Sequence, residues 1–159
     1  MLGISYYNSL GSQTLNPDGN VTGTALVVYD PSLSGETKNV ATKMAEDLKS
    51  KGYKVKLAGI RSKDASNITG YNVLIFGSPT YAGNPSNTVK SYLTGLKIPQ
   101  NTTVGVFSVG SGADDQDSNL VMQQTLQNKT VTVKVSKKYD QTAVQNDYQI
   151  YISQLLSMK

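Results

Sequence analysis

From Thr24 onward, short apolar runs alternate with segments of helical period, and few folds accommodate that alternation. The first run, Ala25-Leu26-Val27-Val28, lies in a strand predicted over 25–29. A helix follows over 36–51, with Val40, Met44 and Leu48 on one stripe and Ala41 and Ala45 beside it. Lys49, Lys51 and Gly52 suit its end, where cations and glycine are favoured. In the strand 53–58, Tyr53, Val55 and Leu57 alternate with lysines, and that polar face predicts an edge position. Residues 62–70 hold at most a short helix. The run 72–76 is almost continuously apolar, as a central strand requires. The pattern then gives a helix over 86–96 on Val89, Leu93 and Leu96, and a central strand over 103–109. A helix over 117–127, a strand over 130–135, and a helix over 141–157 on Val144, Tyr148, Ile152 and Leu155 complete it.

The expected fold class is α/β, a doubly wound five-stranded parallel sheet with helices on both faces, because right-handed crossovers place them so. The default strand order is 2-1-3-4-5. Its switch point lies between the first and third strands, where ligands bind at the carboxyl ends. The segments starting at Asp30 and Gly77 leave those two ends. Residues 24–159 form one domain, with no repeat or second domain. Residues 1–23 are a polar leader or linker, with Asn16-Pro17-Asp18-Gly19-Asn20 a strong turn signal. The start, Met1-Leu2-Gly3-Ile4-Ser5, is compatible with the trimmed edge of a removed anchor, or with a floppy leader or packed arm.

Between the first strand and the first helix stands Tyr29-Asp30-Pro31-Ser32-Leu33-Ser34-Gly35-Glu36-Thr37. Amides at a helix start lack intrahelical partners, and the helix dipole favours an anion there. Ser32, Ser34 and Thr37 add hydroxyl donors. The loop has no Gly-x-Gly-x-x-Gly and no Gly-Lys-[Ser/Thr], which argues against a dinucleotide or triphosphate. A cradle for one terminal phosphate fits, as does an ordinary capped turn. The third strand runs into Gly77-Ser78-Pro79-Thr80-Tyr81-Ala82-Gly83-Asn84, a turn-rich loop with an aromatic at its tip.

Here the chain resembles the flavodoxin family. That family's phosphate loop, [Ser/Thr]-x-[Ser/Thr]-Gly-x-Thr, is matched by Ser32, Ser34, Gly35 and Thr37. Its second loop, Gly-[Ser/Thr]-Pro-x-Tyr-x-Gly, is matched by Gly77, Ser78, Pro79, Tyr81 and Gly83. The two loops lie one β-α-β unit apart, and the resemblance extends from about Thr24 to the C-terminus. It implies FMN as cofactor and electron transfer between redox protein partners. The terminal phosphate would lie against Ser32, Leu33, Ser34, Gly35, Glu36 and Thr37. Glu36 stands where the family tends to have a small polar residue, and an N-terminal carboxylate also suits the helix dipole. Tyr81 would lie against the flavin ring, with Pro79, Thr80, Ala82, Gly83 and Asn84 around the ring edge. Gly83 accepts φ > 0 without steric cost. Ser108, Gly110 and Gly112 would form the third loop of the site. The family usually has a second aromatic there, and no aromatic stands between Ser108 and Tyr139. Asp114, Asp115 and Asp117 would give a negative rim, with Asp117 equally suited to cap a helix.

Composition narrows the chemistry. With no cysteine and no histidine, thiolate metal sites, disulfides, and Ser-His-Asp or Cys-His catalysis are excluded. A phosphate cradle in so unreactive a chain suggests chemistry borrowed from a cofactor. The net charge of +4 departs from the acidic surfaces usual in the resembled family. The lysines are scattered and Arg61 is the one arginine, so no nucleic-acid partner is expected. Charged residues are 16% of the chain, and Ser, Thr, Asn and Gln make up roughly a third, against a usual charged share of about a quarter. Asn20, Asn67, Asn101 and Asn128 lie in Asn-x-[Ser/Thr] sites, which such a composition produces by chance. No apolar stretch is long enough to span a membrane. The resemblance implies a cytoplasmic protein. The composition allows an extracytoplasmic one, anchored through a removed N-terminal segment.

Two other functions remain open on the sequence. One is an FMN-dependent NAD(P)H:quinone-type reductase, to which the missing second aromatic would leave an open ring face. The other is a flavodoxin-like binding module without flavin, since fold does not fix function.

Overall fold

A computed structural model describes residues 8–111 and 117–158. The start Met1–Ser5 lies outside them, as do Gly112, Asp114 and Asp115 and the side chain of Asp117. The chain forms β1 (Ser12–Leu15), β2 (Gly23–Tyr29), α1 (Glu36–Ser50), β3 (Tyr53–Gly59), a 3₁₀ turn (Asp64–Ser66), β4 (Val73–Tyr81), β5 (Asn84–Pro85), α2 (Asn87–Gly95), β6 (Thr103–Val109), α3 (Asp117–Gln127), β7 (Val133–Tyr139) and α4 (Gln145–Leu156).

The sheet is a correction to the five strands expected. It has seven, in the order β1-β3-β2-β4-β6-β7, with β5 paired to β4. The strands β3, β2, β4, β6 and β7 pair in parallel. The two additions are antiparallel. β1 lies along β3 with Ser12 opposite Ala58 and Leu15 opposite Val55. It comes from the polar stretch ahead of Thr24, which packs as an arm. Gly59 donates its N–H to Gly11 O at 2.8 Å, and Arg61 donates to Ser9 O at 2.8 Å.

The expected edge position of β3 is also corrected, because β1 covers one side and β2 the other. Its alternating lysines mark a wet face of the sheet instead. Lys54 is exposed, and Lys56 lies 3.6 Å from Asp64.

Two further boundaries move for local reasons. The last strand starts at Val133, not 130, because Thr130 and Val131 still donate to Gln127 O and Leu126 O as the helix unwinds. The last helix starts at Gln145, not 141. Asp140 Oδ1 accepts from Thr142 N at 2.8 Å in a turn, and Asp147 Oδ2 then accepts from Val144 N at 2.8 Å. A side chain that reaches back to an amide before the first helical turn fixes where the helix begins.

Alternation along the central strands fills two cores. Val27, Ile75 and Phe107 face α1 and α4, meeting Met44, Leu48, Tyr151 and Ile152. Leu26, Leu74, Phe76 and Val106 face α2 and α3, meeting Val89, Leu93, Met122 and Leu126. Each such fully buried side chain contributes about 1.5–3 kcal/mol by leaving water. Tyr151, buried in the first core, donates its hydroxyl to Val106 O at 2.8 Å. This frame holds the carboxyl ends of β2, β4 and β6 rigidly side by side.

Candidate functional site

β2 and β4 are adjacent, and the chain leaves their carboxyl ends at the switch point of the sheet. The Asp30 N–H donates to Gly77 O at 3.1 Å, so the two exits begin side by side.

After β2 the chain turns through Ser32 at φ 63° and Gly35 at φ 78° before α1. Ser32 Oγ and Ser34 Oγ are 3.2 Å apart, and Ser34 Oγ accepts from Glu36 N at 3.4 Å. Gly35, the N-cap residue of α1, has no side chain to cap it. Thr37, in its first turn, is fully buried, and its Oγ1 has no hydrogen-bond partner. A buried hydroxyl without a partner costs about 1–3 kcal/mol. Ser32 and Ser34 stand in the turn just ahead of Thr37. Leu33 is exposed and offers only its backbone. Glu36 is exposed as well. It lines a cavity of about 300 Å³ with Gly110, Ser111, Asp140, Gln141 and Thr142.

The stretch Gly77–Asn84 is not the loop expected from its proline and glycines. Pairing with β6 continues through Ser78 opposite Ser108 and Pro79 opposite Val109, which keeps the backbone extended. Beyond this the chain forms a tight hairpin, with Tyr81 opposite Asn84 and Thr80 opposite Pro85. The two connecting residues, Ala82 at φ 51° and Gly83 at φ 78°, give a turn with both central φ positive, of type I′. Asn84 Nδ2 donates to Ala82 O at 3.2 Å and braces it. The hairpin presents Tyr81, 52% exposed, as a ring held by rigid backbone. Partial burial, and then the negative charge of Asp30, push the Tyr81 phenol pKa up.

From the third segment, Ser108 is fully buried with an unpartnered Oγ, and Gly110 donates its N–H to Tyr139 O at 2.9 Å. A Cβ at Gly110 would meet Thr80 Cβ at 3.0 Å, so the hairpin packs tightly against this segment at residue 110. Gly112 lies outside the described residues.

Sequence reasoning missed several residues here. Asp30, 6% exposed, accepts from Ser86 Oγ at 2.6 Å. Ser86 also caps α2 by accepting from Val89 N at 3.2 Å, and its own N–H donates to Ser78 Oγ at 3.0 Å. This chain of bonds ties the first loop to the hairpin. The signal for Asp30 was its place directly after a central strand, although Asp-Pro reads as turn chemistry. Lys138, 4% exposed, stands beside Ser108 in β7. It was hidden because the last strand was placed too early.

Among the described residues no three His, Cys, Asp or Glu side chains gather to hold a metal. None of the described helices is long and apolar enough to cross a membrane.

A doubly wound α/β sheet with a hydroxyl-rich turn and an aromatic hairpin at its switch point defines the class. A family model described as a flavodoxin domain matches residues 26–146, and the chain belongs to the flavodoxin family. Solved structures agree on the fold. A short-chain flavodoxin associated with a bacterial microcompartment is 17% identical with a TM-score of 0.69, over 85% of this chain and 97% of that one. Flavodoxin 2 from Bacillus cereus is 16% identical with a TM-score of 0.66, over 83% and 97%. Rubredoxin oxygen:oxidoreductase from Desulfovibrio gigas is 24% identical with a TM-score of 0.65, over 86% of this chain and 35% of that one. The chain thus spans about a third of that larger enzyme. No curated protein sequence matches.

Proposed function

We propose that the chain binds FMN at this switch point and carries electrons between redox protein partners. The observation that carries the reading is the unpartnered, buried Thr37 Oγ1 in the first turn of α1, which follows the turn that brings Ser32 Oγ and Ser34 Oγ together. Those hydroxyls, with the first amides of α1, would hold the terminal phosphate without a lysine, aided by the helix dipole. Ser32, Leu33, Ser34, Gly35 and Thr37 form the cradle, with Glu36 contributing its amide. When bound, FMN supplies the redox chemistry by taking and returning electrons.

The protein's own part is to position and tune. Tyr81 would cover one face of the ring, exclude water from it, and oppose added negative charge with its π-cloud. Pro79, Thr80, Ala82, Gly83, Asn84, Ser108 and Gly110 would lie toward the ring edge. Asp30 adds a fixed negative charge beneath the hairpin.

The test is isothermal titration of the folded protein with FMN and with riboflavin. Tight FMN binding with weaker riboflavin binding is expected. No binding of either by folded protein overturns the cofactor.

A second reading, an NAD(P)H:quinone-type reductase, is favoured by one observation. Gly110 and Ser111, the described part of the third loop, bring no aromatic to the second ring face, which leaves room for a substrate. Steady-state turnover of NAD(P)H and a quinone by the FMN-loaded protein would establish it.

A further inference from the structure

The α2/α3 side of the sheet is covered unevenly. The crossover from β3 to β4 carries only the 3₁₀ turn Asp64–Ser66 in place of a helix. Leu26 and Ala58 belong to the α2/α3 core, and strand alternation puts Thr24 of β2 and Lys54 and Lys56 of β3 on the same side. Thr14 of β1 lies opposite Lys56 and joins them. Toward the amino edge of these strands the face opens into a cavity of about 410 Å³, lined in part by Thr14, Asn16, Lys54, Lys56, Thr69 and Tyr71. Small-molecule sites span about 300–1,000 Å³.

The walls are preformed. The arm strand β1 supplies Thr14, and Asn16 follows it. Thr24 donates its Oγ1 to Gly70 O at 2.9 Å and its N–H to Asn72 Oδ1 at 2.8 Å, which pins the stretch before β4 to β2. Among the described residues no carboxylate lines the cavity. Asp64, just outside, accepts from Ser12 Oγ and pairs with Lys56 at 3.6 Å. Lys54 is exposed and has no ion-pair partner among the described residues. Thr69 Oγ1 donates to Asn67 Oδ1 at 2.8 Å, which leaves its lone pairs to accept from another group.

We propose that this cavity binds a phosphorylated sugar, with the phosphate between Lys54 and Lys56 and the sugar hydroxyls against Thr14, Asn16 and Thr69. Two residues apart on one strand, the lysines have Cα atoms about 7 Å apart, within reach of one phosphate for both long side chains. A polyol needs donors and acceptors together, which hydroxyls and a primary amide supply. Tyr71 adds an apolar ring with a polar tip, suited to the C–H face of a sugar. An apolar ligand would leave the lysines and hydroxyls unpaired, and a cation would meet two like charges. Five residues of β2, about 17 Å of strand, separate Thr24 from Tyr29 at the switch point. The sugar phosphate therefore binds clear of the candidate FMN site, and the inference does not rest on the FMN reading.

The test is isothermal titration of the full chain, with FMN present, using glucose 6-phosphate, glucose and inorganic phosphate as probes. Glucose 6-phosphate is expected to bind at least tenfold more tightly than the other two, each of which makes only part of the contacts. Lys54→Gln should weaken it about fivefold or more, the worth of one ion pair near the surface. Lys43→Gln removes the same charge from α1, on the opposite side of the sheet, and should change nothing. Equal losses in the two variants would show diffuse attraction between charges and overturn the proposal. So would the absence of glucose 6-phosphate binding, or inorganic phosphate binding as tightly. Thr14→Val should weaken glucose 6-phosphate threefold or more and leave inorganic phosphate as it was, and it decides the matter should Lys54→Gln fail to fold. Unchanged glucose 6-phosphate binding in Thr14→Val overturns the sugar contact. The dependence on Lys54 locates the site whether or not FMN binds, so this proposal and the FMN reading fail separately.

Discussion

Asp30 Oδ2 accepts a hydrogen bond from Ser86 Oγ at 2.6 Å, across 56 residues of sequence, with both side chains buried. It joins the exit of β2 to the cap of α2 and so fixes the spacing of the two loops that form the site. Ser86→Ala leaves the carboxylate without this donor and α2 without its cap. Hydrogen bonds to charged groups are worth about 1.5–3 kcal/mol and a cap about 1 kcal/mol. Urea denaturation should show a loss of about 2–4 kcal/mol, with FMN and riboflavin weakened alike. A loss below 1 kcal/mol would show that the tie carries little.

Thr37→Val separates stability from binding. In the unliganded protein it removes a buried hydroxyl that has no partner, so stability should stay level or rise by about 1 kcal/mol. FMN affinity should fall roughly tenfold or more, since a charge-assisted bond is worth about 1.5–3 kcal/mol. Riboflavin, which lacks the phosphate, should bind as before. Equal losses for both ligands would place the phosphate elsewhere.

The hairpin turn makes opposite predictions for neighbouring residues. Gly83 at φ 78° takes alanine at a cost of about 1 kcal/mol, because a Cβ is strained there. Ala82 at φ 51° already bears such strain, so Ala82→Gly should be neutral or slightly stabilising. Thermal unfolding of the two variants checks the pair. Equal destabilisation by both would contradict the type I′ turn.

Alkaline pH probes the first core. Burial pushes the phenols of Tyr139 and Tyr151 well above their ordinary value near 10. The folded state therefore keeps both protons after the unfolded chain has lost them. Their contribution is complete below pH 10 and declines as pH rises toward the folded values, by about 1.4 kcal/mol per pH unit for each phenol. The Tyr139 hydroxyl has no partner, so Tyr139→Phe should cost nothing at pH 7 and make the decline above pH 10 shallower. Denaturation midpoints at pH 7, 10 and 11.5 test both statements.

Tyr81→Ala should raise the potential of the lower one-electron couple, because water then reaches the reduced ring and the opposing π-cloud is gone. Redox titration of the FMN-loaded variant reads it directly. Unchanged potentials would mean that Tyr81 does not cover the ring.

The local rules of the sequence determined the strand starts at β3 and β6, the helix over 117–127, and the two hydroxyl- and glycine-bearing segments at the switch point. Each depends on periodicity or on the chemistry of a few adjacent residues. Only the tertiary structure decided the rest. β1 is four residues long and exposed or half-exposed throughout, so it has no period to detect and exists because β3 offers an unpaired edge. The segment after Gly77 has loop composition, yet the neighbouring β6 holds it as strand through Pro79. Asp30 finds Ser86, and Lys138 finds Ser108, across distances in sequence that no local pattern encodes. Their burial follows from the sheet register, and the register is set by packing two cores at once.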